Sequence, residues 1–286
     1  MKHLLTLSGL SRADIENMLA LAEAPPAPVL AGKGAALYFE KPSARTRNSM
    51  ELAVHQLGGH PIYLTAGELG IGTRESVEDI ARTLACYHGV ICARVFDHGL
   101  LQALAAASPV PVVNMLSGTD HPLQGLADLL TIRQLCGRIE SVKVVYVGDG
   151  DNNVARSLAQ GCAALGGQLT IVAPEGYQLS DAPAGVVQTA DLAAVAGADV
   201  VYSDVFVSMG QDSETERRMA DLAAYQANEA LMASAPQAWF LHCLPARRGE
   251  EVTAGVIDGP RSAVWRQAEN RMHTARGALM WLLSQQ

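Results

Sequence analysis

Short apolar, β-branched runs alternate with longer stretches of helical period along almost the whole chain, and this rhythm admits few folds. It predicts strands near residues 34–39, 60–65, 89–95 and 111–116, with helices near 11–22, 43–57, 75–87, 98–107 and 122–136. The rhythm then restarts, with strands over Val142–Val147, Gln168–Ala173, Val200–Val205 and Phe240–Cys243 and helices over Asn153–Leu165 and Leu192–Ala196. A strand, a helix and a second strand in series build a parallel sheet covered on both faces. Two such series imply an α/β chain of two doubly wound domains, each with a central parallel sheet flanked by helices. The domains are expected at 1–136 and 137–267, the break falling near Cys136–Ser141, with a last helix over Glu269–Leu283.

Composition supports a packed globule and removes several partners. Of 286 residues 49% are hydrophobic and 17% charged, enough apolar surface for a core. Lys and Arg number 21 against 29 Asp and Glu, a formal charge of −8, so neither nucleic acid nor an anionic membrane surface is an expected partner. Any bound anion must be held locally. The uncharged stretch from Gly99 to Thr119 contains Pro109, Pro111 and Asn114, which argues against a membrane span. The first residues reach Arg12, Asp14 and Glu16 without an apolar run, so no secretory signal is expected. Five cysteines without C-x-x-C spacing argue against a disulfide framework and a zinc site, making a reducing, cytoplasmic compartment the expectation.

Candidate chemistry gathers where strands end. After the first strand the chain reads Glu40-Lys41-Pro42-Ser43-Ala44-Arg45-Thr46-Arg47 and enters an amphipathic helix. The N–H groups and dipole of a helix start favour an anion, and arginine forks match phosphate or carboxylate. The plainer reading is a capped helix whose arginines pair with surface carboxylates. Arg94 closes another strand, and His121-Pro122-Leu123-Gln124 opens a helix after a fourth. Singly these residues are commonly structural, but Arg45, Thr46, Arg94, His121 and Gln124 at one sheet edge could surround a small phosphate-bearing carbonyl compound.

The second half has its own strand-end loops. Gly148-Asp149-Gly150-Asp151-Asn152-Asn153 resembles a dinucleotide-binding turn, but Asn153 occupies the place of its third glycine. Its amides suit the carboxylate of a small substrate instead. In Asp204-Val205-Phe206-Val207-Ser208-Met209-Gly210 a carboxylate and a hydroxyl could hold an ammonium, although Asp204 could equally be a loop cap. His242-Cys243-Leu244-Pro245 offers a thiol, yet a buried cysteine is usually only a small hydrophobe.

Taken in order, Ser43–Arg47, His121–Gln124, Gly148–Asn153, Asp204–Gly210, His242–Pro245 and Ala268-Glu269-Asn270-Arg271 resemble the motifs of the ornithine carbamoyltransferases. The resemblance spans nearly the whole chain. It implies an N-terminal carbamoyl-phosphate domain, a C-terminal ornithine domain, a closing stretch 268–286 that rejoins the first domain, and a cytoplasmic homotrimer with active sites near subunit interfaces. It places Ser43, Ala44, Arg45, Thr46, Arg94, His121, Gln124 and Arg271 around carbamoyl phosphate, with Arg47 in support. Asn153, Asp204, Ser208, Met209, Cys243 and Leu244 would hold ornithine, with Asn152 the alternative to Asn153. Arg94, His121, Cys243 and Asp204 would act in catalysis, without metal or organic cofactor. Two departures stand out: Ala44 replaces a threonine usual in the family, and the loop Leu69–Ser76 lacks the glutamine many members carry there.

The implied reaction is attack of the ornithine δ-amine on the carbamoyl carbon, through a tetrahedral oxyanion, giving citrulline and phosphate in the chemistry of arginine biosynthesis. Rival acceptors are putrescine, lysine and N-acyl-ornithine. Rival classes are a non-catalytic paralogue, which Ala44 and Gly70 would favour, and a nicotinamide-dependent dehydrogenase, resting on Gly148 and Gly150 alone.

Overall fold

The structure, a computed structural model, describes residues 2–208 and 211–284. Its first elements are α1 (Arg12–Glu23), β1 (Gly34–Phe39), α2 (Ala44–Gln56), β2 (His60–Thr65), α3 (Ala66–Leu69), α4 (Val77–Tyr87), β3 (His88–Arg94), α5 (His98–Ala107), β4 (Val112–Leu116) and α6 (Pro122–Cys136). There follow β5 (Lys143–Val147), α7 (Asn153–Leu165), β6 (Gln168–Val172), β7 (Val187–Thr189), β8 (Val200–Ser203), α8 (Thr215–Leu222), α9 (Glu229–Ala233), β9 (Trp239–His242), α10 (Ala254–Ile257) and α11 (Val264–Leu283). The fold separates into two compact units, Met1–Leu126 with Arg271–Gln286, and Ala127–Asn270.

In the first unit four parallel strands lie in the order β2-β1-β3-β4. β3 is buried at every residue, as a central parallel strand covered on both faces must be. Ile80, Leu84, Leu101 and Leu104 from α4 and α5 pack on Ala36, Ile91 and Val112 of the sheet. Each such side chain contributes about 1.5–3 kcal/mol when fully buried. The end of α11 closes on α1 through Gly277, where an added Cβ would lie 2.5 Å from the Met18 carbonyl oxygen, so only glycine permits this approach.

In the second unit five parallel strands run in the order β7-β6-β5-β8-β9. Val145, Val147, Val172, Val201 and Phe240 face a core completed by Val195, Val256 and Val264. α7 is bounded as its sequence dictates: Asn152 accepts from the Val154 and Ala155 N–H groups at its start, and Gly166 ends it at φ 74.

The alternating parallel architecture matches expectation, with strand limits moved by a residue or two. Three differences are larger. The terminal helix begins at Val264 rather than Glu269. Leu192–Val195 forms a 3-10 turn. β7, α3 and α8–α10 were not foreseen, because elements of three to eight residues are too short to show a period. No helix among the described residues is long and apolar enough to cross a membrane.

Candidate active site

A doubly wound sheet gapes at the carboxyl ends of the two strands between which chain order reverses. In the first unit these are β1 and β3, and the register aligns Phe39 with Arg94 and Arg94 with Leu116, so three strand ends are level. There α2 begins. Ser43 is its N-cap, accepting from the Thr46 N–H at 3.4 Å, while its hydroxyl lies 3.2 Å from that of Thr46. The N–H groups of Ala44 and Arg45, in the first turn, have no acceptor within the helix. Arg94 donates from Nη1 to Thr46 Oγ1 at 3.2 Å, tying the strand end to the helix start.

Arg271 completes this cluster from α11. Its Nη1 donates to Gln124 Oε1 at 2.6 Å and to His121 Nε2 at 3.0 Å. Burial above all, then Arg271 and Arg94, hold His121 well below the usual imidazole range. The ring is therefore neutral. Because a guanidinium only donates, Nε2 is the acceptor and the proton sits on Nδ1. Burial, assisted by Arg271 and Arg45, also brings Arg94 down to about 10, still a cation at neutral pH. Concentrating cationic side chains around a neutral imidazole suits a bound anion with a carbonyl oxygen that gains charge. Arg45 is exposed, while Arg47 pairs with Glu51 at 2.7 Å and lies over the Tyr63 ring. Arg47 thus stands apart from the cluster. In the loop Leu69–Ser76, Arg74 donates to the carbonyls of Glu68 and Leu69 and folds the turn on itself.

In the second unit chain order reverses between β5 and β8, and the register aligns Val147 with Ser203 and Ser203 with His242. The three loops that follow meet at one edge. Asp204 Oδ1 accepts from its neighbour Val205 N–H at 2.8 Å and from the Cys243 thiol at 3.0 Å. His242 is buried, its Nδ1 accepting from the Leu244 N–H at 2.9 Å and its Nε2 lying 3.0 Å from Glu251 Oε1. Leu244 has φ 59, a left-handed conformation uncommon for a non-glycine residue. The Ser208 N–H donates to Gln211 Oε1 at 2.9 Å; Met209 lies outside the described residues.

The paired amides after β5 separate clearly. Asn152 caps α7, and its amide nitrogen donates to the Tyr146 hydroxyl at 3.0 Å and the Asp149 carbonyl at 2.8 Å, so its side chain is fully engaged. Asn153, the first helical residue, is half-buried. At Gly150 an added Cβ would come within 2.4 Å of Ile171 and 2.9 Å of the Tyr177 oxygen, so that glycine serves packing of the turn.

Asp204, His242 and Cys243 offer potential metal-ligand atoms within 4.8 Å of one another. Both His242 nitrogens are already engaged with Leu244 and Glu251, so this trio is not a ready metal site. Two supporting pairs escaped the sequence reading. Glu251 fixes His242, and Asp149 forms a buried ion pair with Arg218 at 2.7 Å. Burial outweighs that guanidinium and pushes Asp149 up to about 6. Neither pair has a sequence signal, since the partners are 9 and 69 residues apart.

Comparison with known proteins joins the two halves. The carbamoyl-P binding domain model of the aspartate/ornithine carbamoyltransferases matches residues 2–134, and their Asp/Orn binding domain model matches residues 140–283. An ornithine carbamoyltransferase of Bacillus subtilis is 46% identical over 99% of this chain and 94% of its own length. That of Hyperthermus butylicus is 50% identical over 90% of this chain and 86% of its own. Among solved structures, ornithine carbamoyltransferase from Pyrococcus furiosus aligns with a TM-score of 0.93 at 41% identity, covering 99% of this chain and 97% of that one. With an anion cluster at one sheet, an amine-suited cluster at the other and matches over both, the chain belongs to the aspartate/ornithine carbamoyltransferase family.

Proposed function

We propose that the chain transfers the carbamoyl group of carbamoyl phosphate to the δ-amine of L-ornithine, giving L-citrulline and phosphate. Residues 1–136, with the closing stretch 268–286, are assigned to the carbamoyl-phosphate domain and 137–267 to the ornithine domain, whereas the compact units divide after Leu126 and Asn270, inside α6 and α11. The observation that carries this reading is the neutral His121 held by Arg271 beside Arg94 and Thr46. Ser43, Ala44 through its backbone, Arg45 and Thr46 bind the phosphate at the start of α2. Arg94, His121 through Nδ1–H, and Thr46 stabilise the oxyanion as the amine attacks, and Gln124 and Arg271 hold the carbamoyl group. Loss of one such donor typically costs about 3 kcal/mol in the barrier.

In the second unit Asp204 and Ser208 take the α-ammonium and Asn153 the α-carboxylate, Met209 is assigned to the same end of ornithine, and Cys243 and Leu244 line the reacting centre. Asn152 is spent on the α7 cap, which favours Asn153 for the carboxylate. The attacking amine must first lose a proton. With an alkyl-amine pKa of about 10.4, selecting the neutral form at about pH 7.4 costs roughly 4 kcal/mol. In this scheme Asp204, which accepts the Cys243 thiol hydrogen at 3.0 Å, takes up that proton, directly or relayed through the thiol as its own hydrogen passes to Asp204. Carbamoyl phosphate is already activated, so the scheme employs no cofactor.

The working assembly is a cytoplasmic homotrimer, to be checked by light scattering. The deciding experiment is a citrulline assay with carbamoyl phosphate, comparing L-ornithine with putrescine, L-lysine and N-acetyl-L-ornithine. Turnover with ornithine alone is expected; no carbamoylation of any amine would overturn the reading in favour of a non-catalytic paralogue.

A further inference from the structure

Cys243 sits between two backbone N–H groups that are both held by side chains. β9 is an edge strand, so alternate residues turn their N–H groups away from β8 toward no neighbouring strand. Phe240 is one of these: its N–H donates to the Arg261 carbonyl at 2.8 Å, and its carbonyl accepts from Ala263 at 2.9 Å. Two residues on, His242 faces the same way. There the neighbouring chain has turned into α11, whose backbone bonds run along its own axis. A side chain takes over, and Gln267 Oε1 accepts the His242 N–H at 2.9 Å.

The other end of that carboxamide is equally committed. Gln267 Nε2 donates to Asp128 Oδ1 at 2.6 Å and to the Tyr202 hydroxyl at 3.1 Å, and that hydroxyl donates to Asp128 Oδ2 at 3.2 Å. All three side chains are buried. Flipping the amide would set nitrogen against N–H and oxygen against carboxylate, so one orientation is imposed. On the far side of Cys243, His242 Nδ1 holds the N–H of Leu244 in its left-handed turn. A turn of that kind persists only where its surroundings over-determine it.

We propose that Gln267 is a positioning residue for the carbamoyl transfer: anchored by Asp128 and Tyr202, it locks the His242 amide and thereby sets the Cys243 thiol against Asp204. Gln267 itself touches no substrate. The role deepens the function proposed above and rests on it for the kinetic readout alone.

The test uses the full chain with Gln267→Met and with the double variant Gln267→Glu, Asp128→Asn. Cys243 alkylation by iodoacetamide is followed by mass spectrometry of its peptide, beside steady-state kinetics for both substrates. Methionine keeps the volume without the acceptor; glutamate keeps the acceptor, and asparagine at 128 supplies the donor that a carboxylate facing Asp128 would lack. A thiol donating to a carboxylate is held in its protonated, slow-reacting form. Gln267→Met is therefore expected to speed Cys243 alkylation at neutral pH about fivefold, the scale of one lost hydrogen bond. It should raise the KM for ornithine by a similar factor while leaving that for carbamoyl phosphate unchanged. The double variant Gln267→Glu with Asp128→Asn should restore both values toward wild type, even at a lower Tm. Wild-type alkylation and ornithine KM in Gln267→Met, or no rescue by the double variant, would overturn the proposal. Should Gln267→Met fail to fold, Asp128→Asn, which loosens the grip on Gln267, is expected to accelerate alkylation more weakly, and no acceleration would overturn the proposal. If the wild-type protein carbamoylates no ornithine, the functional reading falls, and the alkylation comparison alone decides the role of Gln267.

Discussion

Arg271 donates to His121 Nε2 at 3.0 Å and so fixes which nitrogen of a buried, neutral imidazole keeps its proton. Removing the ring as His121→Ala deletes an oxyanion donor, and kcat should fall about 10²–10³-fold. The KM for ornithine should change little, since His121 belongs to the other substrate's unit. A kcat within a factor of a few of wild type would exclude the donor role.

The same residue governs acid stability. With its folded-state pKa well below the ordinary 6.5, His121 binds fewer protons folded than unfolded. Its contribution to stability is therefore complete above about pH 6.5 and is lost as pH falls, by at most about 1.4 kcal/mol per unit. Denaturant titrations of wild type and His121→Gln over that range should show the smaller acid slope in the variant.

Arg45→Ala and Arg94→Ala should each lose about 10²-fold or more in turnover at saturating substrates, while circular dichroism shows a folded chain. Near wild-type turnover in either would dismantle the anion cradle. Ala44 makes a milder forecast: Ala44→Thr adds a hydroxyl to the start of α2 and should tighten carbamoyl phosphate, by up to about tenfold in KM for one hydrogen bond.

The buried pair Asp149–Arg218 carries a pH signature of opposite sign. Burial raises Asp149 to about 6, so the folded state binds more protons than the unfolded one between roughly 3.8 and 6, and this group's contribution weakens as pH rises through that window. Arg218→Met strands the carboxylate and should cost about 3–5 kcal/mol at neutral pH. Part of that loss should return as pH falls and Asp149, its pKa raised further once Arg218 no longer lowers it, takes up a proton. A loss of Tm that is independent of pH would refute the pairing as its cause.

Asn152 and Asn153 can be told apart by what each variant damages. Asn152→Ala removes the cap of α7 and should cost about 0.5–2 kcal/mol of stability. Asn153→Ala should raise the KM for ornithine. The reverse pattern would exchange their roles.

Turnover should rise from neutral into alkaline pH, because the neutral δ-amine becomes more abundant until its pKa, about 10.4, is approached. A flat profile in kcat/KM for ornithine would show that the amine is not the group deprotonated before attack.

Much of this organisation is written locally. The alternation of apolar runs and amphipathic stretches determined the parallel sheets, and Ser43, Asn152 and Gly166 marked helix ends through bonds reaching only a few residues. The loops carrying Arg45, Arg94, His121, Asp204 and Cys243 were legible because each follows a strand, where parallel sheets present their ligands. Tertiary structure alone decided which side chains are spent on the scaffold. Arg47 went to the Tyr63 ring, and the Cys243 turn came to depend on Glu251 and Gln267. Those assignments join residues as far apart as Asp128 and Gln267, 139 positions along the chain. Periodicity reports which face of an element is buried, whereas the partner of a buried polar group is set by which elements the fold brings alongside it.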